Sequence, residues 1–92
     1  MSSTIQREIK SLVDKMLKTS ETKSLKFTRV SVKASDKGLE VSIKIYLEHP
    51  MRLNSIYELV RIMSNKYGVA TDEVTIYSPH SGAIRLSFII KK

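Results

Sequence analysis

The chain has 92 residues, 41% apolar and 27% charged, and carries a net charge of +7 at neutral pH with a pI near 9.8. This length supports one domain over residues 1–92, no apolar run approaches the ~18 residues of a membrane span, and the N-terminus lacks the apolar stretch of a secretory signal, so the expected location is the cytoplasm. Cysteine is absent, which excludes disulfides, thiolate nucleophiles and cysteine-based zinc or iron–sulfur sites.

The chain reads as two copies of one pattern, a helix followed by a β-hairpin, over about residues 3–48 and 53–91. The first helix is predicted to start at a capping box, Ser3 accepting from the backbone of Gln6 and Gln6 reaching back. Ile5, Ile9, Leu12, Val13, Met16 and Leu17 then follow helical spacing and form one apolar stripe. A polar loop over residues 19–24 leads to a strand over about 25–34. Its apolar residues change parity, Leu25 and Phe27 against Val30 and Val32. A β-bulge near Thr28 is expected to bring all four to the core side. Ser35-Asp-Lys-Gly38 is a turn. The next strand alternates without interruption: Leu39, Val41, Ile43, Ile45 and Leu47 inward, the polar residues between them outward.

His49-Pro-Met-Arg52 ends the first half. Asn54 or Ser55 is the expected cap of the second helix, with Ser55 and Glu58 as a second capping box. Its inner stripe is Ile56, Leu59, Val60, Met63 and Tyr67, and Gly68 is its expected C-terminal stop. Ile9, Leu12 and Val13 correspond to Ile56, Leu59 and Val60 at a constant offset. A short strand over 73–77 places Val74 and Ile76 inward. After the turn at 78–82, a last strand from Ala83 to about Ile90 places Ile84, Leu86, Phe88 and Ile90 inward and Ile89 outward. The order α-β-β-α-β-β implies an α+β fold, a pseudo-repeat forming one four-stranded antiparallel sheet with two helices packed on one face and the other face open.

That open face carries the chemistry. The alternation places Arg29, Ser31, Lys33, Ser42, Lys44, Tyr46, Thr75, Tyr77, Arg85, Ser87 and Lys91 on it, while Glu40, Glu48 and Glu73 fall near strand ends. Cations hold phosphates and tyrosine rings stack on bases. The expected binding residues are therefore Arg29, Lys33, Lys44, Tyr46, Tyr77, Arg85 and Lys91. A second basic run, Lys15, Lys18, Lys23, Lys26, Arg29 and Lys33, is countered only by Glu21. It crosses a helix end, a loop and a strand and reads as solvated surface, with Lys15 and Lys18 complementing the helix C-terminus.

Catalysis finds no constellation. His49 and His80 lie in turns without a second ligand at metal spacing. Asp72 and Glu73 are adjacent and diverge if Glu73 begins a strand. Ser81 sits on no strand-to-helix elbow, and the three glycines build no phosphate loop. No enzyme activity, cofactor or metal is expected. In the order of its elements the segment from Gly38 to Ser78 resembles small domains of the alkaline-shock protein family and the αββα core of type II KH domains. His49-Pro-Met-Arg-Leu contains no Gly-x-x-Gly clamp, so no binding residue is carried over. The first expectation is a small basic protein binding nucleic acid, DNA or RNA, with low sequence specificity. The alternative is a protein–protein interaction module, a homodimer or an accessory subunit, acting through the open face or the edge strands. No membrane partner is expected.

Overall fold

Apolar spacing decides both helices. In the computed structural model, which describes residues 2–20 and 23–91, α1 is Ser2–Ser20 and α2 is Leu53–Tyr67. The strands are β1 (Leu25–Ser35), β2 (Gly38–Leu47), β3 (Thr75–Tyr77) and β4 (Ala83–Lys91), with a 3₁₀ turn at Thr71–Glu73 before β3. All strand pairs are antiparallel, in the order β1-β2-β4-β3. The two hairpins thus meet through their second strands, and Ser42 faces Ser87 and Ile43 faces Leu86 along the seam. The α+β fold read from the sequence is the fold observed.

The core lies between helices and sheet. Ile9, Val13 and Leu17 of α1 and Ile56, Leu59 and Met63 of α2 are buried over Val30, Val41, Ile43, Ile45, Leu86 and Phe88. The halves do not repeat in detail. Val13 is fully buried, whereas its counterpart Val60 is half-buried. The helices are rolled differently because α1 rests directly on β1, while α2 packs on α1 and the 3₁₀ turn.

Several local expectations are corrected. The side chain of Ser3 lies outside the described residues; Gln6, the other half of the expected box, donates from Nε2 to the Val30 carbonyl at 3.0 Å. It thereby covers part of the β1 edge. The α2 capping box does not form. Arg52 occupies the cap position with no side-chain cap bond, Ser55 is buried in the first turn, and Glu58 accepts from Arg61 at 2.6 Å. Gly68 does end α2 in the left-handed conformation, φ 67°, and both its N–H and that of Val69 reach the Ser64 carbonyl.

The β1 irregularity falls between Leu25 and Phe27, not at Thr28. Leu25 packs on the core, Lys26 is the extra residue, and Phe27 turns outward opposite Tyr46. Thr28 therefore points inward. Its burial is tolerated because α1 brings Asp14 and Lys10 over its hydroxyl, which donates to Asp14 Oδ1 and accepts from Lys10 Nζ at 2.8 Å. On the other edge, the 3₁₀ turn takes Glu73 and shortens β3 to three residues. Ile76 keeps its predicted side of the sheet but is 58% exposed, because it lines an open groove between β3 and α2.

Candidate nucleic-acid interface

The antiparallel registers assemble rows across the open face. Arg29 faces Lys44, Lys44 faces Arg85, and Arg85 faces Tyr77. Three cations thus stand side by side on three adjacent strands, ending in an exposed tyrosine on the fourth. Directly opposite residues have Cβ atoms about 4.5–5.5 Å apart, and like charges in that relation destabilise a sheet. No acid interrupts this row. Among the described residues its one side-chain bond is from Arg85 Nε to Ser42 Oγ, 2.8 Å, a neutral partner in the next row.

That next row is Ser31, Ser42, Ser87 and Thr75. Short hydroxyl side chains between longer ones leave a shallow depression of about 950 Å³. Ser31, Ser42 and Ser87 line it together with the cations Lys33, Lys44, Arg85 and Lys91 and the acids Glu40 and Glu73. The third row pairs Lys33 with Glu40 and Glu40 with Ile89. Lys91, at the end of β4, binds Glu73 Oε2 at 3.0 Å. All seven expected residues therefore lie on one face. Arg29, Lys44, Arg85 and Tyr77 form its central row, Lys33 and Lys91 are beside acids at one margin, and Tyr46 lies at the opposite margin.

At that opposite margin the sequence reading missed a residue. Phe27 stacks on Tyr46 with ring centroids 4.3 Å apart and 20° between planes. The His80 ring, from the turn before β4, has its centroid 6.3 Å from that of Tyr46 and is tilted from it by 37°. Phe27 is 44% exposed. No local signal in the sequence distinguished a bulge at Lys26 from one near Thr28; its place at Lys26 sends Phe27 to the face of Tyr46.

The acids of α1 and α2 are paired locally. Glu8 accepts from the Tyr67 hydroxyl at 3.0 Å and lies 3.7 Å from Lys66, and Glu58 holds Arg61. Burial, aided by the bond to Glu8, pushes the Tyr67 phenol up to about 12. Burial also pushes Asp14 up, but hydrogen bonds from Lys10 and Thr28 and the charges of Lys10 and Lys18 outweigh it and hold the carboxyl below its ordinary value. The long basic run of the sequence is divided by the fold. Arg29 and Lys33 join the open face, while Lys15 lines a groove between the helices with Arg52 and Glu58. Glu21 lies outside the described residues.

His49 and Ser81 are exposed in turns. Among the described residues no three His, Cys, Asp or Glu side chains gather as metal ligands, and no helix is long and apolar enough to cross a membrane. No known protein family matches this chain, and no curated protein or solved structure matches it either.

Proposed function

We propose that the open sheet face binds nucleic acid through its phosphates, without catalysis and with little sequence preference. The observation that carries this reading is the row Arg29–Lys44–Arg85. Three cations held opposite one another without an acid work against the sheet, and a polyanion laid across the strands removes that repulsion. Lys33 and Lys91, offset by Glu40 and Glu73, mark one margin of this row. The absence of a carboxylate within the central row removes the acceptor groups that would repel phosphate there.

Binding driven by counterion release weakens steeply with salt, by about 0.9 log units per log unit of salt for each phosphate contact on duplex DNA. Replacing Lys44 and Arg85 together by Glu is expected to lower affinity for a labelled mixed-sequence oligonucleotide at least ~100-fold. The same change should reduce the salt slope by about two. Fluorescence anisotropy between 50 and 200 mM salt measures both, and unchanged binding by the double variant rejects this face.

A second reading, contact with another protein chain, is supported by the β3 edge. There Ile76, Leu53 and Tyr57 are 58%, 78% and 59% exposed around a groove shared by β3 and α2. Self-association through that groove would persist across the same salt series that dissolves a phosphate complex.

A further inference from the structure

Building on the nucleic-acid reading, we infer that the ligand is single-stranded, DNA or RNA, and that an unpaired base extends the stacked ring column Phe27–Tyr46. The bulge at Lys26 turns an apolar ring out of the core and onto a cationic face. Its stack on Tyr46 accounts for one side of the Phe27 ring. The ring nonetheless remains 44% exposed on edge strand β1, and among the described residues no further ring stacks on it.

The placement of the column relative to the cations carries the inference. Phe27 precedes Arg29 by two residues and Tyr46 follows Lys44 by two, so the ring row lies beside the charge row on the same face, about 7 Å away along the strands. That separation is comparable to the reach from a base to its own phosphate. A strand running across the sheet can therefore place phosphates on Arg29, Lys44 and Arg85 while turning a base toward Phe27. Tyr77 offers a second ring at the far end of the charge row, 62% exposed. Stacking of this kind is tolerant of base identity, since every base has a π-face. A duplex cannot use it, because its bases are already stacked and paired and would have to be flipped out. The duplex offers this face its phosphates alone.

The test compares three labelled ligands at 100 mM salt: a 12-nucleotide oligothymidylate, the corresponding oligouridylate and a 12-base-pair duplex. Wild type is expected to bind the single strands at least ~10-fold more tightly than the duplex. Phe27→Leu keeps an apolar side chain and removes the ring. It is expected to weaken single-strand binding by about 5- to 100-fold and to leave duplex binding within about twofold. Arg29→Gln is expected to weaken binding to all three. If Phe27→Leu leaves single-strand affinity unchanged, lowers duplex binding equally, or if the duplex binds as tightly as the single strands, the inference is overturned while the phosphate reading stands. If wild type binds none of the three even at 50 mM salt, the underlying reading fails and this one with it.

Discussion

At the scale of single residues, Asp14, Thr28 and Lys10 show how a polar group comes to face a core. The Thr28 hydroxyl is buried and finds both an acceptor and a donor on α1. Replacing Asp14 by Ala leaves that hydroxyl and Lys10 with one partner fewer, at an expected cost of roughly 1–3 kcal/mol. Thr28→Val removes the buried hydroxyl itself and is expected to cost less. The Asp14 carboxyl is held below its ordinary value of 3.8 in the folded state. Its contribution is therefore complete above that pH and is lost as pH falls from 3.8 through the lower folded value. Urea denaturation at pH 7 and at pH 2 to 4 checks both points, with the wild-type and Asp14→Ala curves converging in acid. The same triad explains why Phe27 was misplaced by sequence alone. Parity in β1 required one extra residue between Leu25 and Val30, and any of the four positions between them satisfied that requirement. The choice was decided by partners distant in sequence, Asp14 for Thr28 and Tyr46 for Phe27.

At the scale of elements, periodic signals were legible and end signals were not. The inward residues of β2 and β4 occupy the face their alternation predicted, because a strand with one buried side tolerates no slip of register. The α2 capping box was not legible, because Ser55 is drawn into the buried first turn and Glu58 is taken by Arg61. Two of the three glycines, Gly38 and Gly68, differ in what they protect. At Gly68 the conformation is left-handed but the space is open, whereas a Cβ on Gly38 would come within 2.1 Å of the Ile90 carbonyl. Gly68→Ala is expected to cost about 1–2 kcal/mol, the price of that backbone region for an L-residue. Gly38→Ala must displace β4 and is expected to cost at least ~3 kcal/mol or prevent folding, with the β2–β4 seam losing hydrogen-exchange protection first. Neither the strand order nor this close approach was available from the sequence, since both depend on which hairpin strands meet.

Over the whole molecule, both the helices and the open sheet face carry more cations than acids, and the two differ in how those charges are paired. Carboxylates on α1 and α2 are engaged by neighbouring lysine, arginine, threonine and tyrosine side chains, while the open face keeps its cations adjacent. The sharing of one plane by the expected binding residues was readable from alternation; their alignment in a single row was not, because it is fixed by pairing register. The row also makes a prediction about the free protein. Lys44→Gln relieves two like-charge contacts, each worth about 0.2–1 kcal/mol. It is expected to raise the melting temperature by about 2–5 °C in a domain of this size, even as it weakens oligonucleotide binding. A lower melting temperature would show that the row is not strained.

The seam between the hairpins has a further consequence. Arg29 and Lys44 belong to the first half and Arg85 to the second, so the trio exists only once β4 has docked beside β2. In an extended chain the same three charges are dispersed along the polypeptide and attract polyanions diffusely. On the proposed reading, docking of β4 beside β2 closes the interior and assembles the phosphate row in one event, so a substitution that opens this seam removes the surface together with the fold.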